Sequence, residues 1–396
     1  MAFFKGNRTV FNGLLAAAGG ATALAYFYPS IREVVLSNLQ IDEADAFTVK
    51  KIEGAYSTLE KAQDCNSLLK KYLTRDVLDD IKYKKTKLGA SLYEIIRSGV
   101  FNLDSKIGVF AADVESYTVF GSLFNPIIEE YHKFSSDKKQ PSPYFGEDKK
   151  SKFPSLDPDG KFISSTRIRC CRTIAGYPFN PLLTQDDYII MQEKVLKALK
   201  SIEDEELKGT YYKLEKIPKD ERASLIDDGL LFKDDDKFVK QAEGYKFWPK
   251  GRGTYFNKDK TFSIWVNEKD HLKIISMEQG SNVQQVFDRL ARGIKEVNKN
   301  MSFTRDKRLG WLTFSPANLG SSIRASVHIY LPKVSARKDF QEICDKLNLE
   351  IREIPGSKGG VYDISNKIKL GITEYDAVKQ MYDGVKELIR LEKETK

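Results

Sequence analysis

Apolar residues recur along the chain in two registers. In the larger carboxy-terminal part, Tyr188, Met191, Val195, Leu199 and Ile202 follow one another at helical steps, as do Val283, Phe287, Leu290, Ile294 and Val297. Such spacing lays one apolar stripe along a helix. Thr184 with Asp187 makes a capping box ahead of the first stripe, and Thr373 with Asp376 opens a last helix that faces inward through Val378, Met381, Val385 and Leu388. Residues 261–266, 274–277, 310–314 and 325–331 read as strands between these helices. Nearer the amino terminus, residues 46–132 read as a small helical domain: Leu68, Leu69, Tyr72 and Leu73 recur at helical spacing, and 88–96 begins another helix. Residues 133–161 are dense in Pro, Ser, Gly and charge, which predicts a linker. Residues 162–396 then form the second domain.

Several strand-like runs carry basic side chains two apart. Successive strand residues face opposite ways, so Arg167 and Arg169 converge on one face, and Arg324, Ser326 and His328 share another. Ala325, Val327, Ile329 and Leu331 are left for a buried face. A sheet floor of arginines suits phosphate, because each planar fork of donors meets two oxygens at once.

Composition changes this picture little. At 396 residues, with 41% hydrophobic and 30% charged positions, the chain has room for two ordinary globular domains. Its net charge of +8 is spread thinly, with no block dense enough to predict nucleic-acid binding. Cys65, Cys170, Cys171 and Cys344 have no metal or disulfide spacing, and three histidines, His132, His271 and His328, are too few for a histidine-based metal site.

Residues 1–45 differ in character. Lys5 and Arg8 precede an uncharged run over 10–29, rich in alanine and glycine, and no acid appears before Glu33. About 20 apolar residues can just cross a bilayer. The run reads as a membrane-anchor helix or a cleavable mitochondrial presequence, and both point to the mitochondrion and its inner membrane.

The segments DCNSLLKKYLT, NLDSKIG, NPIIEEYH, GYPFNPLLT, ELKGTYY, FWPKGRG, DHLKIISM and GGVYDISNK stand in the order found in the phosphagen kinases, the ATP:guanidino phosphotransferases. From about residue 48 onward the chain resembles that family, the arginine kinases above all. The resemblance implies an α+β fold: a small all-α amino-terminal domain, then an antiparallel eight-stranded sheet flanked by helices, here with an apolar anchor helix in front. It also implies Arg167, Arg169, Lys273, Arg324 and Arg352 as candidate contacts to nucleotide phosphate, and Ser105, Lys106, Ile107 and Phe110 as remnants of a substrate loop. No cofactor is required, with magnesium-bound ADP or ATP as the ligand the arginines would take.

Departures from the family pattern gather on the guanidino side. Lys269 stands where the family keeps the second glutamate of Asn-Glu-Glu-Asp, and Ser315 replaces a reactive cysteine. At about 4 Å and an effective dielectric of about 20, a carboxylate attracts a guanidinium by roughly 4 kcal/mol and an ammonium repels it as strongly. Glu268 is placed by strand alternation on the opposite face. The loop over 354–358 lacks the family's acid, Lys106 replaces a small residue, Phe110 a tyrosine, and Gly229 a histidine. The reading that follows is a catalytically inactive relative with degenerate Lys269 and Ser315, anchored in the bilayer by residues 10–29. It would serve as an accessory subunit of a large mitochondrial inner-membrane complex, of respiratory-chain or ATP-synthase type. The alternative is an active guanidino kinase.

Overall fold

The computed structural model describes residues 43–149, 153–354 and 359–395. Among these, helices α1 (Ala46–Lys61), α2 (Leu68–Tyr72), α3 (Arg75–Ile81), α4 (Leu92–Phe101), α5 (Ser116–Val119) and α6 (Gly121–His132) build the amino-terminal unit. Helix α4 starts later than its apolar pattern predicts. Gly89 sits in a turn at φ 87°, and Ser91 and Glu94 close a capping box behind it.

The second unit is a sheet of β1 (Ile163–Arg172), β2 (Gly209–Lys213), β3 (Gly253–Asn257), β4 (Phe262–Val266), β5 (Leu272–Gln279), β8 (Arg324–Tyr330), β9 (Leu349–Glu353) and β10 (Val361–Asn366). Its eight strands run in the order β2-β3-β4-β5-β1-β8-β10-β9, and every neighbouring pair is antiparallel. The small strands β6 (Arg305–Asp306) and β7 (Gly310–Trp311) form a separate ribbon. Helices α7 (Gln185–Lys200), α8 (Lys219–Asp227), α9 (Lys237–Gln241), α10 (Val283–Asn298), α11 (Phe340–Lys346) and α12 (Glu374–Glu394) complete the described elements. Both predicted capping boxes, at Thr184 and Thr373, are formed.

Alternation divides the sheet into two chemically different faces. Ile168, Cys170, Ile274, Ala325, Val327 and Ile364 pack into one core with Phe287 and Leu290 of α10 and Val378 and Met381 of α12. Arg167, Arg169, Lys273 and Ser326 are left on the other side. The predicted strand over 310–314 does not join this sheet. Leu312 and Phe314 instead enter the core of the helical unit, together with Phe179, Val239 and Leu370, so the two units share one continuous apolar seam.

The connection from α6 to β1 contains no helix or strand among its described residues, yet it is strapped down. Gln140 donates to the Ile372 carbonyl at 2.6 Å and accepts from the Gly371 amide at 2.7 Å. The Tyr375 amide donates to the Tyr144 carbonyl at 2.9 Å, and Phe153 stacks on Tyr375. The predicted anchor at 10–29 lies outside the described residues. Among the described residues no helix is long and apolar enough to cross a membrane.

Candidate active site

Strand register brings the basic residues together. Arg167 lies opposite Ser326 and Met277, Arg169 opposite Arg324 and Ile275, and Cys171 opposite Lys273. Arg324 donates to Asp363 at 2.8 Å, and Arg352 donates to Glu350 at 2.9 Å. Nε and Nη2 of Arg167 and Nε of Arg324 are buried with no acceptor. Burial first, then repulsion from Arg169 and Arg324, pushes Arg167 down to about 9, and burial with Arg324 pushes Arg169 to about 10. Both remain charged near neutrality, on a floor with more positive charge than its carboxylates cancel. Orphaned buried donors cost about 1–3 kcal/mol each, and bound phosphate oxygens would satisfy them.

Beside this floor lies a cleft of about 730 Å³ lined by Ser165, Arg167, Gly229, Met277 and His328 among others. Gly229 holds φ 71°, and a Cβ added there would come within 3.9 Å only of the Met277 sulfur, so the replaced histidine leaves room in the cleft.

Two further basic groups complete the floor. Lys273 is 7% exposed and paired with Glu268. Lys369, missed at the sequence level, is equally hidden and donates to the Ala317 carbonyl and to Asn318 Oδ1, both at 3.2 Å. Burial pushes it down to about 8. Nothing in the sequence marks it, because a lysine between Ile368 and Leu370 and two positions after Lys367 reads as surface.

The turn from β4 to β5 departs from the expected alternation. Asn267 takes φ 57°, and its amide donates to the His271 carbonyl at 2.8 Å. The strand therefore ends at Val266, and Glu268 and Lys269 line the same cavity rather than opposite faces. That cavity, about 250 Å³, also has Arg167, Asp235, Asp236 and Tyr245 in its wall. Lys269 donates to Asp236 at 2.5 Å. Burial opposes ionisation of Glu268, but Lys273 and then Lys269 outweigh it and hold the carboxyl low. Lys269 is thus not a bare cation aimed at an acceptor. Asp236 was invisible to spacing arguments because it lies 33 residues away in sequence.

The predicted substrate loop is fastened within the helical unit and is not among the residues lining this cavity. Ser105 Oγ accepts from the Gly108 amide at 3.0 Å, while the Lys106 and Ile107 carbonyls accept from the Leu68 and Leu69 amides that begin α2. Phe110 stacks on Phe314 next to Ser315. Asp104, just ahead of the loop, accepts from Lys237 at 2.5 Å, which ties it to the residue after Asp236. Ser315 is half-buried at the head of a short turn, its carbonyl accepting from Thr313 Oγ1 and the Asn318 amide. Residues 355–358 lie outside the described residues.

Comparisons with known proteins agree on a family. The ATP:guanido phosphotransferase C-terminal catalytic domain matches residues 190–395, and the N-terminal domain of the same family matches residues 63–129. A probable arginine kinase of Caenorhabditis elegans is 55% identical over 87% of this chain and 88% of its own length. The arginine kinase of Pachygrapsus marmoratus is 51% identical over 89% of this chain and 99% of its own. Among solved structures, the duplicated taurocyamine kinase from Schistosoma mansoni with bound transition state analog components superposes with a TM-score of 0.83 at 38% identity, over 86% of this chain. The chain spans 48% of that duplicated protein. A lombricine kinase superposes with a TM-score of 0.76 at 33% identity, over 85% of this chain and 93% of its own.

These findings overturn the inactive accessory subunit, while the anchor assigned to residues 10–29 lies outside the described residues. Relatives 51–55% identical over most of the chain are named arginine kinases, two of them as probable. The electrostatic objection is also weakened, because without an acceptor Asp236 offsets the Lys269 charge. Nothing in the described residues points to subunits of a membrane complex. With its helical and antiparallel-sheet units, its arginine floor and matches that span both, the chain belongs to the ATP:guanido phosphotransferase family.

Proposed function

We propose that the chain is a phosphagen kinase that moves the terminal phosphoryl group of magnesium-bound ATP to a guanidino acceptor. The observation that carries this is the junction at Arg167, whose unpartnered Nε and Nη2 lie where the large cleft meets the carboxylate-lined cavity. Nucleotide phosphates belong on the arginine side, held by Arg167, Arg169, Lys273, Arg324 and Arg352. A cationic guanidinium belongs on the side of Asp235 and Asp236. Such an arrangement sets the two reactants in line across Arg167 and spreads positive charge around the group in flight, which is most of what phosphoryl transfer asks of a protein. The terminal P–O bond of ATP breaks as the N–P bond forms, and the proton leaving the acceptor nitrogen passes to the carboxylate wall. Magnesium would come with the nucleotide substrate, held largely by its phosphates and by water.

The test is ADP release by the full chain with magnesium-ATP and, in turn, L-arginine, taurocyamine and lombricine, the acceptors named for its relatives. Release that depends on one of the three, above the acceptor-free blank, is the expected result. Magnesium-ADP binding with no acceptor-dependent release from any of them would overturn the proposal.

A further inference from the structure

The acceptor cavity already contains a cation. Glu268 is 4% exposed and committed to Lys273, so its carboxylate is spent within the protein. Asp236 divides its two oxygens. Oδ1 caps α9, accepting from the Phe238 and Val239 amides at 3.0 and 3.2 Å, while Oδ2 takes the Lys269 ammonium. Lys269 remains about one-third exposed in its side chain and Asp236 about one-quarter, at 34% and 27%, so the pair faces the cavity rather than the core.

We infer that Asp236 Oδ2 is the carboxylate oxygen that receives the acceptor's guanidinium, and that Lys269 is a displaceable occupant of that position. This deepens the kinase reading and rests on it for the identity of the acceptor. A guanidinium is more weakly hydrated than an ammonium and presents a planar fork of donors, so it competes well for a carboxylate oxygen held by a single lysine donor. The lysine stem is flexible. Once displaced, its ammonium stays at the cavity wall, where it favours an acceptor that carries an acid group of its own.

Calorimetric titration of the full chain, saturated with magnesium-ADP, with L-arginine and with its decarboxylated counterpart agmatine tests this without requiring turnover. Asn can still cap α9 through its side-chain oxygen, so Asp236→Asn removes the charge and keeps the local fold. Wild type is expected to bind L-arginine more tightly than agmatine. Lys269→Met should bind agmatine at least ten-fold more tightly than wild type and lose most of the preference for L-arginine. Asp236→Asn should weaken both ligands at least ten-fold, with magnesium-ADP affinity within two-fold of wild type in both variants. Unchanged or weaker agmatine binding by Lys269→Met, no binding of either ligand by that variant, or undiminished L-arginine binding by Asp236→Asn would overturn the inference. The two readings fail separately. Titrations as expected with no phosphoryl transfer would sink the kinase and leave the acceptor site standing, whereas turnover indifferent to Asp236→Asn would do the reverse.

Discussion

Phe110 and Phe314 stack with ring centroids 4.6 Å apart, and the Ala111 amide donates to the Phe314 carbonyl at 2.9 Å. This contact fastens the loop from the helical unit to the residue before Ser315. Phe110→Ala removes a half-buried ring, at a cost of about 2 kcal/mol, somewhat below the range for fully buried rings. Thermal unfolding should shift down accordingly. Acceptor KM should rise several-fold while magnesium-ADP affinity holds, and Phe110→Tyr should restore both. Equal losses in nucleotide and acceptor binding would contradict this assignment of the loop.

The arginine floor should trade stability for binding. Arg169 faces Arg324 in register and is pushed down by burial and by that neighbour, so Arg169→Met removes a charge that the ligand-free fold bears at a cost. The variant is expected to melt at or above the wild-type temperature without nucleotide. It should lose the rise in Tm that magnesium-ADP gives wild type, a rise of about 2.7 kcal/mol in stability when ligand reaches about 100 times Kd. A destabilised variant that still responds fully to magnesium-ADP would be the opposite outcome.

Nucleotide affinity should weaken as pH rises through about 8, where burial places Lys369. Its folded pKa lies below the value of about 10.4 for a free lysine. Below pH 8 the folded state bears the full cost of the buried charge, and between the two values the unfolded chain binds more protons, so folding stability rises with pH. Affinity and stability thus move in opposite directions across that window. Lys369→Met should flatten both profiles, and an affinity profile that stays flat in wild type would count against a role for this lysine near the phosphates.

Acid should unfold the protein early. His271 is neutral in the core, its Nε2 bonded to the Pro178 carbonyl at 3.0 Å and its Nδ1 accepting from the Ile174 amide at 3.1 Å; burial pushes it down to about 4. His132, bonded to the Pro316 carbonyl at 2.8 Å, is likewise pushed by burial to about 4. Both values lie below the unfolded one of about 6.5, so below that pH the unfolded chain takes up more protons and stability falls as pH drops toward 4. Each histidine accounts for a loss on the order of 3 kcal/mol at the low end. His132→Gln should blunt the loss between pH 6.5 and 4 in urea unfolding, and an unchanged slope would refute it.

The fold was readable where local chemistry decides it. Thr184 and Thr373 cap the helices their spacing announces, and the alternation in 324–331 places Ala325 and Val327 in the core with Arg324 and Ser326 across from it. The candidate site was readable on its arginine side for the same reason. Its acceptor side was not, because Lys269 looks like a bare charge until folding brings Asp236 to it. Glu268 was assigned to the wrong face because the left-handed Asn267 breaks the period of two on which that assignment depended. Lys369 gave no signal, since burial of a lysine is decided by tertiary packing.

The strap from α6 to β1 has a bearing on how this protein would respond to being cut. Its upstream half is tied to the start of α12 through Gln140 and Tyr144, and its downstream half through Phe153, whose ring rests on Tyr375 and whose amide donates to Gln284 at 2.9 Å. Both ends of a break between Tyr144 and Phe153 would remain seated on the same helix, and the apolar seam through Phe179, Leu312 and Phe314 would stay closed. A single proteolytic nick there should yield two bands under denaturing conditions and one particle in native gel filtration.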